Sequence, residues 1–275
     1  MSELERIAHA SCSLARRAGA AILEVYAGSF AVEQKSDDSP LTAADMASHR
    51  IIVAGLKDLT PDIPVLSEES KHIDWNTRRG WDRYWLVDPL DGTREFVKRN
   101  GEFTVNIALI EKHAPVLGVV LIPVTGALYY GIAGDGAFLE NAPGALPQPI
   151  ATRAAATVPV VAGSRSHGSD RQTAILANLG EHTLVSVGSS IKFCMVARGD
   201  ADLYLRLGLT SEWDTAAAQC VLEQAGGAVL DLQGAPLRYN TKESLLNPEF
   251  VAIGDPRTDW LARLHASGTP EVSGG

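Results

Sequence analysis

The chain changes its secondary-structure rhythm near its middle, and this change limits the folds that it can adopt. Before residue 141, short β-prone runs follow one another closely: PVLSEE, YWLVDP, FTVNIALIE, VLGVVLIP and ALYYGIA. After residue 150, apolar strands alternate with helical segments such as SSIKFCMVARG and WDTAAAQCVLEQAGG. The first half is therefore predicted to be α+β with an antiparallel sheet, and the second half to be α/β with a mixed or mostly parallel sheet.

The stretch NAPGALPQPI, which begins at Asn141, is the best candidate for a boundary between the two halves. It is rich in proline, glycine and alanine, and it has no periodicity. We therefore expect one half over residues 1–145 and the other over residues 146–267. Residues 268–275 are expected to form a disordered tail.

Two helices are predicted ahead of the first strands. The segment from Leu4 to Val25 has helical apolar spacing, and Gly28 is placed to end it. Thr42, with Asp45 three residues later, forms a capping pattern for a second helix that reaches a proline stop.

Composition limits the partners and compartments that fit the chain. The formal net charge of −9 disfavours a nucleic-acid polymer, because binding a polyphosphate requires a basic face. No apolar run approaches the roughly 20 residues of a membrane-spanning helix, and the N-terminus has no export-signal pattern. The three cysteines form no CxxC pair and are expected to be buried apolar side chains. We expect a cytoplasmic protein, with peripheral association with the inner membrane and the oligomeric state left open.

The run WLVDPLDGTREF carries two aspartates, Asp88 and Asp91, at the end of a predicted strand. Pro89 fixes the chain after the first aspartate, and Gly92 permits a tight turn that brings the second one back beside it. The hydroxyl of Thr93 can then start the next helix, whose amides would favour an anion. Oxygen ligands without a cysteine or histidine pattern indicate Mg²⁺ or Mn²⁺ rather than zinc.

Other carboxylates lie at the junctions between predicted elements, namely Asp45, Glu68, Glu69 and Asp214. Taken singly, each has an ordinary structural explanation as a helix cap or a solvated turn residue. If they converge, two carboxylates about 4 Å apart repel by roughly 4 kcal/mol at an effective dielectric near 20, so cations would be required. Those cations would also let an anionic phosphate enter an acidic pocket.

Glu68-Glu69, DPLDGT and WDTAAAQCVLEQAGG occur in this order over nearly the whole chain. Together they resemble the lithium-sensitive, magnesium-dependent phosphatases of the inositol monophosphatase superfamily. The stretches DGTREFVKRNGEFTVNIAL and GSSIKFCMVARGDADLYLR are similar to its 3′(2′),5′-bisphosphate nucleotidase branch. The resemblance implies a layered αβαβα fold of mixed α and β class, and lithium inhibition. It also implies hydrolysis of adenosine 3′,5′-bisphosphate to AMP and phosphate, with the 3′-phosphosulfate analogue as a further substrate, in support of sulfate assimilation.

The resemblance also implies a role for individual residues. Two Mg²⁺ ions are expected, held by Glu68, Asp88, the carbonyl of Leu90, Asp91 and Asp214, with Asp88 shared between them. Thr93 and Glu68 would orient the attacking water, and Asp45 would support that water or hold a third, weaker ion. Glu69 would support the ligands from outside. Substrate binding is expected at Asp91, Gly92, Thr93, His167, Ser189, Lys192, Arg206 and Asp214.

The residues of the second half give a separate reason to expect a phosphate site. The segment GSS, residues 188–190, precedes a predicted helix and would present backbone amides to a phosphate. Lys192 and Arg206 would add positive charge, although solvated charges are the alternative. For His167, a structural or solvated histidine is the alternative.

Two other functions remain open, and a third does not fit the spacing of the motif. The same metal site could hydrolyse inositol 1-phosphate or fructose 1,6-bisphosphate, although the segment REFVKRNGEF argues against both. A haloacid-dehalogenase phosphatase would need a DxD pattern, whereas this chain has DxxD with proline after the first aspartate. An inactive metal-binding paralogue is the non-enzymatic alternative, although every matched ligand position holds an acid.

Overall fold

Two helices begin the chain, as their capping residues predict. The computed structural model describes residues 2–29, 31–34, 40–70, 73–163 and 169–265. Helix α1 spans Glu3–Ala27 and stops at Gly28, and helix α2 spans Ala43–Leu59. Thr42 and Asp45 form a reciprocal capping box at the start of α2. Both predicted helices are confirmed. Two short strands, β1 (Val32–Gln34) and β2 (Pro40–Thr42), pair antiparallel before α2.

The first sheet has seven strands, whose spatial order follows the chain. They are β3 (Val65–Ser67), β4 (Arg83–Asp91), β5 (Thr104–Glu111), β6 (Ala114–Ile122), β7 (Ala127–Ile132), β8 (Gly136–Glu140) and β9 (Gln148–Ile150). The pairing is antiparallel from β4 onward, which confirms the predicted antiparallel sheet. The pair β3–β4 is parallel, because the chain crosses over between them through the short helix α3 (Trp75–Arg78). Helix α4 (Thr93–Val97) connects β4 to β5.

The predicted boundary region is not entirely a connection. Residues 148–150 were assigned to the second half, but they form β9 and pair with β8 of the first sheet. Two proline residues kept this edge strand from being predicted, because proline lowers strand propensity. Proline is nevertheless tolerated at the edge of a sheet. The division into two halves otherwise stays a prediction, and the tail at 268–275 lies outside the described residues.

The second sheet is mixed, with five strands in the order β11-β10-β12-β14-β13. They are β10 (Val160–Gly163), β11 (Thr183–Ser186), β12 (Leu203–Arg206), β13 (Ala228–Asp231) and β14 (Phe250–Ile253). Strand β10 is parallel to β11 and β12, whereas β14 is antiparallel to β12 and β13. The helices of this part are α5 (Asp170–Ala177), α6 (Ile191–Ala197), α7 (Glu212–Gln224) and α8 (Trp260–His265).

The helices and sheets stack in five layers, which confirms the layered αβαβα fold. One apolar cluster joins α1 and α2 to one face of the first sheet. A second cluster places α6 and α7 between the two sheets, and a third joins α5 and α8 to the outer face of the second sheet. Among the helices in the described ranges, none is long and apolar enough to cross a membrane.

Glycines in the first sheet allow α7 to lie directly on it. A Cβ atom on Gly118 of β6 would stand 2.1 Å from the carbonyl oxygen of Ala217, and one on Gly131 of β7 would stand 2.9 Å from that of Cys220. The Cys220 thiol donates to the Gly131 carbonyl at 3.5 Å. This close approach fixes the position of the N-terminus of α7, which points to the functional site.

Candidate metal and phosphate site

Carboxylates from both halves of the chain meet where β4 ends and α7 begins. One oxygen from each of Asp88, Asp91 and Asp214 lies within 4.8 Å of the others. Asp88 and Asp91 are the last acids of β4, and the pairing of β4 with β5 is irregular between them. That irregularity lets two residues three positions apart turn toward the same point. Asp214 is the third residue of α7.

Glu68 belongs to the same cluster. It follows β3 directly, and its backbone amide donates to the carbonyl of Val87 at 3.1 Å. Because β3 and β4 are parallel, their carboxyl ends lie at the same edge of the sheet, where α/β proteins commonly bind ligands. The charge of Glu68 acts on Asp88 and Asp214 and helps to raise the pKa of each. Glu69, next in the chain, is half-buried.

Burial and mutual repulsion make these carboxylates costly to ionise. Burial, followed by the neighbouring negative charges, raises the pKa of Asp88 well above its ordinary value. The pKa of Asp214 is raised for the same two reasons. Burial also raises the pKa of Asp91, but the charge of Lys192 and the amide of Ser190 oppose it. The cluster therefore favours either bound protons or bound cations.

The donors of the cluster fit a hard divalent cation. They are carboxylate oxygens, and the backbone carbonyl of Leu90 lies on the same turn. Asp88 is only 1% exposed, and within the described part of the chain no lysine or arginine forms an ion pair with it. An oxygen-only set of this kind suits Mg²⁺ or Mn²⁺. A group of acids able to hold a metal ion is therefore present.

Thr93 connects the turn after β4 to the start of α2. Its hydroxyl lies 3.1 Å from Asp45 Oδ1 and 3.2 Å from the Leu90 carbonyl oxygen. The other oxygen of Asp45 accepts from the Thr42 amide at 2.8 Å and from the Thr42 hydroxyl at 2.7 Å. Asp45 therefore both completes the helix cap and orients a hydroxyl at the edge of the acidic cluster.

Gly92 occupies a position that only glycine fits. Its φ of +89° is left-handed, and a Cβ atom there would lie 3.1 Å from the carbonyl oxygen of Glu102 and 3.3 Å from Ser189 Cβ. Ser189 itself has a φ of +48°, and its buried hydroxyl has no protein partner in the described part of the chain. The two predicted substrate-binding residues thus face each other across the cleft.

Two of the three GSS amides have carboxylate partners in this structure, and the predicted phosphate-binding role of the segment stays a prediction. The amide of Gly188 donates to a carboxylate oxygen of Glu102 at 2.9 Å, and the amide of Ser190 donates to Asp91 Oδ2 at 2.7 Å. Both carboxylates belong to the first half of the chain. The start of a helix favours any anion, so sequence spacing could not show whether a carboxylate of the protein or a phosphate binds there.

Sequence reasoning missed the residues that hold Asp91. Thr104 and Asn106 of β5 form a hydrogen-bonded group with Ser190: the two hydroxyls lie 2.8 Å apart, and that of Ser190 donates to Asn106 Oδ1 at 2.8 Å. The Thr104 hydroxyl also lies 3.3 Å from Asp91 Oδ2. All three residues are buried. The sequence signal for Thr104 and Asn106 was that these polar residues alternate with apolar ones in the strand FTVNIAL.

Lys192 and Arg206 bring positive charge to the cluster. The Lys192 side chain is buried, and its ammonium donates to the carbonyls of Val187 at 3.1 Å and Ser189 at 2.6 Å. Burial lowers the pKa of Lys192 to about 8, although the charge of Asp91 opposes this shift. Arg206 ends β12 and donates to a carbonyl of the 207–211 loop at 3.0 Å. His167 lies outside the described residues, so its predicted contact stays a prediction.

The sequence matches the inositol monophosphatase family over residues 3–264, and the chain belongs to this family. Proteins named 3′(2′),5′-bisphosphate nucleotidase are among those similar to this chain. The chain is 55% identical to the 3′(2′),5′-bisphosphate nucleotidase CysQ of Salmonella typhimurium, over 87% of this chain and 96% of that protein. It is 53% identical to CysQ of Escherichia coli K12 over the same shares.

A solved structure gives the same result for the fold. The crystal structure of CysQ from Bacteroides thetaiotaomicron is 41% identical to this chain and superposes with a TM-score of 0.82. The match covers 92% of this chain and 98% of that one. The resemblance stated from DPLDGT and the WDTAAAQ helix is confirmed.

Proposed function

We propose that this protein is a phosphatase that requires divalent metal ions and hydrolyses adenosine 3′,5′-bisphosphate to AMP and phosphate. The observation that carries the proposal is the convergence of Asp88, Asp91 and Asp214 within 4.8 Å, beside Glu68, whose charge acts on Asp88. The names of the CysQ relatives support the substrate. The 3′-phosphosulfate analogue is a second expected substrate. A cytoplasmic location is part of this proposal.

Two Mg²⁺ ions are the proposed cofactors, with Mn²⁺ as a substitute. Glu68, Asp88, Asp91, Asp214 and the Leu90 carbonyl would hold them. When bound, such ions supply Lewis-acid stabilisation of the charge on the phosphoryl and leaving oxygens. Asp45 is the proposed support for a third, weaker ion or for the attacking water.

The chain supplies a water-orienting pair of its own. When the Thr93 hydroxyl donates its hydrogen to Asp45 Oδ1, its oxygen lone pairs remain free to accept from a water. Asp45 is held by both hydrogen bonds from Thr42, so it cannot rotate away from Thr93. Glu68, whose charge acts on Asp88 and Asp214, is the proposed second acceptor for that water.

The cations of the second half are the proposed binding groups for the nucleotide. Arg206 and Lys192 both act on Asp91 and so lie near the acids. The Lys192 ammonium already donates to two carbonyls, which leaves one of its three hydrogens for a phosphate oxygen. Asp91, Gly92, Thr93, Ser189 and Asp214 complete the proposed substrate contacts with His167.

Substrate specificity tests the proposal directly. Purified protein with Mg²⁺ is given adenosine 3′,5′-bisphosphate, inositol 1-phosphate and fructose 1,6-bisphosphate, and kcat/KM is measured for each. We expect the nucleotide to be preferred by at least about 100-fold, since the pocket and not the metal site distinguishes the three. Asp91→Asn serves as the inactive control for contaminating phosphatases. Preference for inositol 1-phosphate would contradict the proposed substrate and leave the metal site standing.

A further inference from the structure

Arg78, the last residue of α3, is a fully buried cation at the junction of the two halves. It is 2% exposed, and its Nη1 donates to Asn240 Oδ1 at 2.6 Å and to the Lys242 carbonyl at 3.2 Å. Its Nη2 donates to the carbonyl of Glu243. The guanidinium also stacks 4.9 Å from the ring centroid of Trp75. Arg78 therefore fastens the loop of residues 240–243 to the helix that follows Glu68 in the chain.

The segment that follows this loop, up to residue 247, also contacts the start of α7. The amide of Asn240 donates to Glu212 Oε2 at 2.8 Å, and the amide of Glu212 donates to the Leu245 carbonyl at 2.8 Å. The side-chain amide of Asn247 donates to the Ser211 carbonyl at 2.7 Å. The first residues of α7 are thus held on both their side-chain and backbone groups by residues 240–247.

We propose that Arg78 and Glu212, linked through Asn240, are positioning residues that hold Asp214 at the correct distance from Glu68. This inference rests on the proposed function, because it concerns the same acids. Arg78 stands on the element after Glu68, and Glu212 stands two residues before Asp214. The clamp thereby joins the two parts of the chain that contribute acids to one cluster.

The chemistry of the clamp explains why these residue types are present. A buried guanidinium requires hydrogen-bond acceptors, which Asn240 and the carbonyls of Lys242 and Glu243 supply. Glu212, 1% exposed, accepts from the amide of Asn240. The planar fork of arginine serves three acceptors at once, which a lysine ammonium cannot do in the same geometry. The Asp214 carboxylate itself accepts from the Ser211 amide at 2.8 Å, so its orientation follows that of the loop-held segment.

The clamp also has three buried polar atoms that no described protein group satisfies: Arg78 Nε, Tyr84 Oη and Glu212 Oε1. Buried polar atoms without a protein partner commonly bond to ordered water, so we expect water beside these atoms.

The test compares Arg78→Met with Arg79→Met, whose side chain is exposed on the neighbouring residue. Mg²⁺ is titrated into each metal-free protein by calorimetry, and Tm is measured without Mg²⁺. We expect Arg78→Met to weaken Mg²⁺ binding by about 10- to 100-fold, as other losses of support around metal ligands do. The Mg²⁺ concentration for half-maximal turnover should rise in proportion, while the KM for nucleotide at saturating Mg²⁺ stays within about threefold. Arg79→Met should match the wild type.

Glu212 provides a second pair that does not depend on Arg78→Met folding. Glu212→Gln keeps an acceptor for the Asn240 amide and should retain Mg²⁺ affinity within about threefold, whereas Glu212→Leu should lose about 10-fold or more. Glu243→Gln, with an exposed side chain in the clamped loop, is the control.

The possible outcomes separate the two proposals. Wild-type Mg²⁺ affinity in both Arg78→Met and Glu212→Leu, with only a lower Tm, would overturn the clamp as a positioning device. A wild-type protein that binds Mg²⁺ but leaves the nucleotide intact would overturn the proposed function alone. A high-resolution crystal structure should show ordered water within about 3.2 Å of the buried polar atoms of the clamp, and empty density there would overturn their hydration.

Discussion

At the scale of single residues, the site consists of acids that are stable only with a proton or a cation. The folded-state pKa values of Asp88 and Asp214 are raised, chiefly by burial. Protonated carboxyls thus contribute stability that is fully present below the ordinary pKa near 4 and is lost as pH rises through the raised values. The metal-free protein should therefore become less stable as pH rises through this window, and Mg²⁺ should restore stability.

The variant Asp88→Asn tests whether ionised Asp88 lowers the stability of the metal-free protein. The variant removes a buried charge that is repelled by its neighbours, so the Tm of the metal-free protein at pH 8 should rise rather than fall. It should also lose turnover and most of the stabilisation by Mg²⁺, which is about 2.7 kcal/mol at 100 times the dissociation constant. Thermal melts with and without Mg²⁺ measure both effects. Asp135→Asn, at an exposed turn, should change neither, and a lower metal-free Tm for Asp88→Asn would contradict the electrostatic account.

The Thr93 hydroxyl gives a second prediction at this scale. Thr93→Val keeps the shape but removes the group that lies 3.1 Å from Asp45 Oδ1. We expect kcat to fall by about 10² to 10⁴, as for loss of a proton-handling group, with Mg²⁺ affinity nearly unchanged. Thr93→Ser retains the hydroxyl and should recover most of the rate in the same steady-state assay. Equal activity of the valine and serine variants would remove Thr93 from the mechanism.

At the scale of elements, the capping residues made α1 and α2 predictable, whereas the partners of the GSS loop were not. Thr42 and Asp45 are close in sequence, so a local hydrogen-bond pattern identifies the start of α2. Glu102 and Gly188 are 86 positions apart and meet only in the folded chain. No sequence pattern singled out Arg78 for the same reason, since its partners at 240–243 are distant in the chain.

The position of α7 on the first sheet gives a prediction for an element. Gly118→Ala places a Cβ atom where the carbonyl oxygen of Ala217 would be 2.1 Å away, so α7 must shift. Overpacking of this kind costs about 1–3 kcal/mol, and the shift should also weaken Mg²⁺ binding because α7 carries Asp214. Chemical unfolding and Mg²⁺ titration measure the two effects. Gly80→Ala, which meets no atom within 4 Å, is the control, and unchanged Mg²⁺ affinity in Gly118→Ala would show that α7 tolerates displacement.

At the scale of the whole molecule, the order of elements was predictable and the cleft between them was not. Strand spacing indicated an antiparallel sheet followed by an α/β part, and the five layers agree with it. The resemblance supplied the acids, because spacing alone could not show that Asp214 meets Asp88. Sequence spacing left Lys192 as either a solvated charge or a ligand contact. The fold buries its side chain, which spacing could not show.

The central claim is that acids from both halves hold divalent cations in one cleft. Crystals soaked in Mn²⁺ can be measured for anomalous scattering at the manganese edge. We expect two anomalous peaks, each within about 2.3 Å of oxygens from the set Glu68, Asp88, Asp91, Asp214 and the Leu90 carbonyl. Well-ordered carboxylates with no anomalous peak among them would contradict the account.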